Sequence, residues 1–227
     1  MVLAEIGARV EEVRARVARA VERGGHGQRV TLIAVTKTHG AEAVEAAWRA
    51  GITDVGENKV QEALSKMPAV TAPVRWHLIG HLQRNKVKHV DAFALVHSVD
   101  SERLARAIDA HGQARGAPVE VLLQVNVSGE ATKGGFEPDE WERVATLVPA
   151  LPGLRVRGVM TMAPFDAPEA ELRRVFGGAR RARAVFAAIG APAEELSMGM
   201  SGDYEIAAEE GATMVRLGTA LFGARDT

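Results

Sequence analysis

The sequence predicts a (β/α)8 barrel, or TIM barrel, with one extra N-terminal helix. Three observations predict this α/β fold class. Short apolar runs rich in β-branched residues alternate with helical patterns, about eight such runs occur, and each is nearly continuously apolar. Parallel strands that are covered by helices have this continuous apolar character. The 227 residues are 47% apolar, which suffices for one core, so we expect a single domain over residues 1–227.

The first 25 residues have the pattern of an amphipathic helix. Apolar side chains recur at helical spacing with arginine and glutamate between them, and Gly24-Gly25 ends the pattern. The apolar positions are Leu3, Ile6, Val10, Val13, Val17 and Val21. We therefore expect residues 1–25 to form a helix that packs on the barrel.

Strands and helices then alternate to the end of the chain. The predicted strands are residues 30–37, 52–56, 75–80, 93–100, 119–128, 154–162, 195–200 and 213–218. The predicted helices are residues 41–50, 57–66, 82–89, 101–111, 138–147, 168–189 and 204–210. An open doubly wound sheet would share this order, but no G-x-G-x-x-G follows the first strand and no P-loop occurs. The closed barrel therefore fits best.

Composition and charge exclude several kinds of partner. Lys and Arg number 28 against 29 Asp and Glu, and neither sign collects in a tail, so we expect no nucleic acid and no membrane as a partner. The chain has no cysteine, and its seven histidines include no HExxH motif, so we expect no metal site. Charges throughout the first 25 residues are unlike a signal peptide, and we expect a cytoplasmic protein that binds a small molecule.

Polar residues end most of the predicted strands. The active site of a βα barrel lies at these carboxyl ends, although turns favour Ser, Asn and Gly for their own reasons. The polar residues are Lys37, Glu57, Asn58, His77, His97, Ser98, Asn126, Ser128, Thr161, Ser197 to Ser201 and Arg216 to Thr219. For most of them, ordinary turn or strand-end chemistry is a sufficient explanation.

Lys37 differs from the other strand-end residues because it follows a largely apolar run with no acidic residue beside it. A partly buried lysine near other cations loses its proton more readily and can form a Schiff base with a carbonyl group. A lysine at a barrel rim can also extend its charged end into water. Taken alone, Lys37 fits both interpretations.

The last two strands add a second chemical feature. The segment 197–204 places two glycines and two serines between a strand and a helix, and 215–220 ends the last strand with Gly218-Thr219. Bare backbone N–H groups and hydroxyls after strands seven and eight are typical of phosphate sites in barrels. In a closed barrel the last strand adjoins the first, which carries Lys37. An amine beside a phosphate site suggests a phosphorylated aldehyde, and pyridoxal 5′-phosphate has both groups.

Seven stretches of the sequence carry a family resemblance that runs nearly end to end. They are LIAVTKT, VGENKVQEA, RWHLIGHLQRNKVK, VHSVDSERLA, VLLQVNVSGEATKGGF, LPGLRVRGVMTM and LSMGMSGDYEIAAEEGATMVRLGTALFGAR. On these motifs the chain resembles the pyridoxal phosphate homeostasis proteins (the YggS/PROSC family), whose fold is that of the N-terminal barrel of alanine racemase. The cofactor that this resemblance implies is pyridoxal 5′-phosphate.

The resemblance also implies roles for seven residues. Lys37 corresponds to the lysine that forms the internal aldimine with the cofactor. Ser201, Gly218 and Thr219 correspond to the residues that hold the phosphate, and Arg216 to an arginine beside the pyridine nitrogen. Asn58 and His77 are implied to line the pocket. None of these residues is expected to be catalytic, so the site is predicted to be a cofactor-binding site.

The implied function is binding, homeostasis and delivery of the cofactor without robust catalysis. A guanidinium beside the pyridine nitrogen disfavours a proton there, which makes the ring a poorer electron sink. Racemisation in related barrels needs a tyrosine from a further β domain, which the chain is not expected to have. We expect a monomer or weak dimer, with pyridoxal-phosphate-dependent apoenzymes as candidate recipients. The alternatives are a fold-type III enzyme such as an amino-acid racemase, and a class I aldolase that uses Lys37 without a cofactor.

Overall fold

The protein folds into a closed barrel of eight parallel strands, as the sequence predicts. The structure is a computed structural model that describes residues 5–130, 133–188 and 193–223. Each strand pairs with the next in chain order. The strands are β1 (Thr31–Val35), β2 (Asp54–Glu57), β3 (Arg75–Leu78), β4 (Leu95–Val99), β5 (Val119–Gln124), β6 (Leu154–Met160), β7 (Glu195–Met200) and β8 (Met214–Leu217).

The barrel closes where β1 pairs with β8. Leu32 lies opposite Val215 and Ala34 opposite Leu217, in parallel register. Because the two strands run in the same direction, their carboxyl ends meet at one end of the barrel. The segment after β1 therefore adjoins the segment after β8.

The α-helices surround the barrel, and most lie within a few residues of their predicted positions. They are α1 (Ile6–Gly24), α2 (Ala41–Arg49), α3 (Val60–Lys66), α4 (Glu102–Arg115), α5 (Trp141–Leu147), α6 (Glu169–Ala188), α7 (Tyr204–Glu209) and α8 (Thr219–Phe222). Short 3₁₀ turns precede or follow α3 and α5, at Met67–Ala69, Pro138–Glu140 and Val148–Ala150. Residue 189, where the sixth barrel helix was expected to end, lies outside the described residues.

Two predicted helices differ from the structure. The helix expected at 57–66 begins only at Val60, because Glu57 still belongs to β2. The segment expected to be an α-helix at 82–89 is a 3₁₀ helix over Arg84–Ala92. Its two buried residues, Val87 and Val90, are three positions apart, and a helix with three residues per turn places such a pair on one face.

Helix α1 packs on the outside of the barrel through one apolar face, as its periodicity predicts. The face is Ile6, Val10, Val13, Val17 and Ala20, while Leu3 lies outside the described residues. Gly25 ends the helix in a left-handed conformation with φ of 69°, and its N–H donates to Val21 O. The end of α1 contacts α7, where Arg23 pairs with Glu209 at 2.6 Å.

Alternate residues of each strand face different surroundings. A large apolar cluster lies between strands and helices and includes Leu32 and Ala34 of β1. A small separate cluster contains Ile33, Leu95, Leu122, Met160 and Met214, which lie on the other side of their strands. The barrel interior therefore has few apolar side chains, and buried polar ones fill much of it. Within the described residues, none of the helices has the length and apolar character needed to cross a membrane.

Two adjacent glycines of α6 provide a test of the packing between this helix and the segment after β5. A Cβ atom at Gly178 would lie 2.3 Å from Val127 Cγ1, whereas one at Gly177 would meet nothing closer than 3.7 Å. We expect Gly178→Ala to lower the free energy of unfolding by about 1–3 kcal/mol through overpacking. Gly177→Ala, the matched control, should be neutral or stabilising by up to about 1 kcal/mol because alanine favours helix. Urea denaturation of both variants measures this, and equal effects would contradict the packing described.

Candidate functional site

Lys37 lies at the carboxyl end of the barrel, two residues after β1, and its side chain is half-buried. Its two neighbours are both held by acidic side chains. Thr36 Oγ donates a hydrogen bond of 2.6 Å to Glu57 Oε1, and the Thr38 N–H donates to the Glu62 carboxylate. Thr38 has a positive φ of 68°, which is unusual for threonine. The main chain on each side of Lys37 is therefore fixed to β2 and α3.

A second lysine lies close to this segment, and it is fully engaged. Lys66 Nζ donates to Glu57 Oε1 at 2.5 Å and to Thr36 O at 2.8 Å. Burial raises the pKa of Glu57, and the hydrogen bonds from Lys66 and Thr36 oppose that rise. Lys37, in contrast, makes no hydrogen bond or ion pair with the part of the chain that the structure describes. The Lys37 amine is therefore available to a ligand, and Lys66 is structural.

The segments after β7 and β8 meet at the hydroxyl of Ser201. The backbone N–H groups of Gly218 and Ala220 donate to Ser201 Oγ at 3.2 and 3.1 Å. Asp203 Oδ1 accepts from Met200 N at 2.5 Å and so fixes the turn that carries Ser201. One hydroxyl and two backbone donors thus converge on one point, an arrangement that suits an anion.

Gly199 allows the turn after β7 to lie close to α7. Its φ is 90°, and a Cβ atom there would be 2.6 Å from Ala207 Cβ. A side chain at this position would therefore both strain the backbone and push α7 away. Thr219, the first residue of α8, is exposed next to the same turn.

Arg216 is the buried cation of the site. Its side chain extends from β8 and is only 4% exposed, with Nη1 donating to Ser197 Oγ at 2.7 Å and Nη2 to Thr161 O at 2.9 Å. Burial lowers the pKa of Arg216 to about 10, and the charge of Asp203 opposes this shift. The guanidinium therefore stays charged at neutral pH.

Beneath Arg216, a line of hydrogen bonds crosses the barrel interior. Ser197 Oγ lies 2.9 Å from His97 Nδ1, and His97 Nε2 lies 2.9 Å from His77 Nδ1. His77 Nε2 lies 2.8 Å from Asp54 Oδ1, and Asp54 Oδ2 accepts from Arg75 at 2.8 Å. Arg75 is exposed at the amino-terminal end of the barrel, opposite to Lys37. We call Ser197, His97, His77 and Asp54 the interior chain.

The surroundings fix the charges along the interior chain. Burial lowers the pKa of His97 well below its usual range, and the charge of Arg216 lowers it further, so His97 is neutral. Burial alone would raise the pKa of Asp54. Hydrogen bonds from His77, Arg75 and Thr53 outweigh that effect and hold the pKa of Asp54 well below its usual range.

Comparisons with known proteins agree with this architecture. The family described as "Alanine racemase, N-terminal domain" matches residues 9–226. The chain is 42% identical to the pyridoxal phosphate homeostasis protein of Pseudomonas aeruginosa, covering 99% of this chain and 97% of that protein. It is 38% identical to the protein of the same name from Aquifex aeolicus, covering 96% and 97%. The chain belongs to the pyridoxal phosphate homeostasis protein family.

Solved structures match the same barrel. PipY of Synechococcus elongatus with PLP bound is 35% identical with a TM-score of 0.84, covering 96% of this chain and 100% of that one. Alanine racemase from Corynebacterium glutamicum is 19% identical with a TM-score of 0.73, and the match covers 98% of this chain and 61% of that enzyme. The likeness to the racemase shows the fold alone.

Most residues that the family resemblance singles out lie at one end of the barrel. Lys37, Ser201, Gly218 and Thr219 follow the adjoining strands β1, β7 and β8, and Arg216 lies just below them. Asn58 follows β2, is half-buried, and packs its backbone against Gly80.

His77 lies deeper in the barrel than the other predicted residues. It is buried, and both of its ring nitrogens are engaged by protein side chains. Its predicted contact with a cofactor remains a prediction, and the structure gives it a partner on either side.

Three residues that the structure brings into the site lie outside the strand-end positions from which the site is predicted. Asp54 begins its strand and Lys66 ends a helix, so neither is among the strand-end residues, and Thr36 precedes Lys37 without a polar pattern of its own. The spacing of Lys66 was the one available signal, because it falls in line with Val60 and Ala63 on one face of α3, where a charged side chain needs a partner.

The neutral, buried state of His97 has a consequence for stability. The pKa of His97 is lowered by folding from an unfolded value of about 6.5, so below that pH the unfolded chain binds a proton that the folded protein does not. Stability is therefore lost as the pH falls below about 6.5, by up to about 1.4 kcal/mol per pH unit. We expect His97→Gln to reduce this slope between pH 6.5 and 5, as measured by denaturant unfolding.

The matched control for this measurement is Ser98→Ala. Ser98 is the next residue of β4 and is equally buried, but its hydroxyl donates to Gly80 O and not to the interior chain. It should retain the slope of the unmodified protein. An unchanged slope in His97→Gln would contradict the neutral state of His97.

Proposed function

We propose that this protein binds pyridoxal 5′-phosphate through a Schiff base at Lys37 and takes part in homeostasis and delivery of the cofactor. The observation that carries this proposal is the convergence of an unengaged amine, an anion-binding turn and a buried cation on adjoining strands. The names of the curated relatives and the PLP bound to PipY support the same ligand.

The residues at the mouth fit the groups of this cofactor. The Lys37 amine suits the aldehyde, because it has no acidic partner among the described residues, unlike Lys66. Ser201 Oγ and the N–H groups of Gly218 and Ala220 suit the phosphate, which can take the place of Ser201 as acceptor of these two donors. Thr219, exposed beside them, adds a second hydroxyl.

Arg216 supports a role in holding the cofactor rather than in catalysis. When bound, pyridoxal phosphate supplies an electron sink whose strength depends on a proton at the pyridine nitrogen. Arg216 keeps its positive charge in the buried site, and we propose that it lies beside this nitrogen and disfavours the proton. With Lys37 and the Ser201 turn, this arrangement binds the cofactor tightly while limiting carbanion chemistry.

An amino-acid racemase of fold-type III is the alternative function. Such an enzyme needs a second acid or base on the opposite face of the cofactor. The chain has one tyrosine, Tyr204, which is buried on α7 with Arg16 and Glu12 of α1 as charged neighbours. Tyr204 therefore belongs to the outer contact of α7 with α1. Exchange of an amino acid's α-proton with deuterated water would favour the racemase, and we expect none above the rate of free cofactor.

Borohydride trapping tests the Schiff base at Lys37. The reagent reduces the carbon–nitrogen bond, so peptide mass spectrometry of the loaded protein should place the pyridoxyl group on Lys37. Lys37→Ala should lose both the adduct and the Schiff-base absorption band. Lys59→Ala, which removes an exposed amine next to Asn58 at the same end of the barrel, should retain both. An adduct at full yield in Lys37→Ala would refute the assignment.

Comparison of two ligands tests the phosphate turn. Ser201→Ala removes the hydroxyl, which can donate to the phosphate once the two backbone N–H groups do so, and we expect it to weaken binding of pyridoxal phosphate by about tenfold because hydrogen bonds to charged groups are strong. Binding of pyridoxal, which lacks the phosphate, should hardly change. Ser128→Ala, whose hydroxyl bonds Asn126 after β5, is the control. If Ser201→Ala weakened the binding of pyridoxal phosphate and of pyridoxal equally, the phosphate would lie elsewhere in the site.

A further inference from the structure

The interior chain connects Arg216 to the opposite end of the barrel. Four hydrogen bonds between side chains, each of 2.7 to 2.9 Å, run from Arg216 through Ser197, His97 and His77 to Asp54. All five residues are less than 6% exposed. The interior chain ends at Asp54, which accepts a hydrogen bond from Arg75. Both residues line a cavity of about 690 Å³ between α1 and the barrel.

The two ends of the chain determine the direction of every hydrogen bond in it. Arg216 can only donate, so Ser197 Oγ accepts at one end. Asp54 is ionised and can only accept, so His77 Nε2 carries a proton at the other end. A neutral His77 then accepts at Nδ1 from His97 Nε2, and His97 accepts at Nδ1 from the Ser197 hydroxyl. Every donor and every acceptor along the chain is satisfied in this arrangement.

The opposite direction leaves a group without a partner. If His77 were doubly protonated, it would donate to His97 Nε2, and His97 Nδ1 would donate to Ser197. Ser197 would then accept from both His97 and Arg216, and its own hydrogen would have no acceptor in the chain. A second cation would also lie inside the barrel near Arg216, where burial disfavours charge. Within the described residues, no three histidine, aspartate or glutamate side chains are grouped so that they could hold a metal ion.

Arg216 depends on this direction because its acceptors are few. The guanidinium donates to one side-chain oxygen, Ser197 Oγ, and to one main-chain oxygen, Thr161 O. Ser197 accepts from Arg216 with its own hydrogen satisfied only while that hydrogen points to His97. His97 Nδ1 is free to accept only while its other nitrogen donates to His77, and His77 in turn requires Asp54.

We propose that Asp54, His77, His97 and Ser197 are positioning residues that hold the Arg216 guanidinium against the cofactor from the far end of the barrel. This inference rests on the proposed function. It deepens that function by assigning control of the buried cation to residues that need not touch the cofactor. A change at Asp54 is accordingly transmitted through three hydrogen bonds to Ser197 and alters the environment of the pyridine ring.

The decisive variant is Asp54→Asn, which keeps the shape of the side chain but removes its charge. We expect the dissociation constant of pyridoxal phosphate to rise about fivefold, a size typical of coupled networks, and the absorption band of the bound cofactor to shift. Ser197→Ala, a smaller change at the other end, should give the same band shift if Asp54→Asn does not fold. The double variant, Asp54→Asn with Ser197→Ala, should change the dissociation constant and the absorption band little more than Ser197→Ala alone does.

Two matched controls separate transmission from general loss of stability. Asp109→Asn alters a buried carboxylate that accepts from Gly153 N and Gln113 outside the interior chain. Ser98→Ala alters the buried neighbour of His97. Both should leave the absorption band in place. A band unchanged in Asp54→Asn and in Ser197→Ala, with the cofactor bound, would overturn the inference.

Nitrogen-15 NMR of the histidines tests the chain without any cofactor. Both His77 and His97 should have a protonated Nε2 and an unprotonated Nδ1 at neutral pH, and Asp54→Asn should disturb this pattern at His97 as well as at His77. A protonated Nδ1 on His97 in the unmodified protein would overturn the inference. Failure of the unmodified protein to bind pyridoxal phosphate would instead refute the proposed function, and the tautomers would still decide the direction of the chain.

Discussion

The pairing of β1 with β8 is the constraint on which the rest of the site depends. It brings the segment after the first strand next to the segment after the last, so that Lys37 adjoins Gly218 although the two are far apart in sequence. Closure also removes the exposed edges that an open sheet would present. Each additional strand pair sets the register of the next, and the level of Arg216 on β8, opposite Ile33 of β1, follows from that register.

Within this frame, the buried charges of Lys66 and Asp54 are placed where oppositely charged partners offset them. Lys66 is buried against Glu57, and Asp54 against Arg75 and His77, so that each charge has hydrogen bonds that offset its loss of hydration. Lys37 has no such partner among the described residues. A lysine that folding leaves unpaired beside a well-paired one is the group to which a ligand can bond, and the pairing of Lys66 keeps the Glu57 carboxylate occupied.

Local sequence patterns predicted the barrel and the mouth of the site but not the interior. The apolar runs that become β1 to β8 are visible because each is short and bounded by turns, and Lys37, Ser201 and Arg216 are visible because they end or follow such runs. The predicted α-helix at 82–89 was wrong because apolar spacing alone does not separate an α-turn from a 3₁₀ turn. The interior chain joins four different strands, and no local pattern records which side chains meet across a barrel.

Under the proposed function, the barrel assigns binding and restraint of the cofactor to different depths. The Lys37 amine and the Ser201 turn lie at the strand ends, where backbone geometry supports them. Arg216 lies one layer deeper. One of its two hydrogen bonds is to the main chain, and the other is to a side chain, Ser197 Oγ, which is itself held only by side chains. A carboxylate in its place would favour a proton on the pyridine nitrogen and so activate bound amino acids. A guanidinium does the reverse, and the neutral histidines behind it add no charge that would weaken its effect. Tight binding and low reactivity are then properties of the same fold.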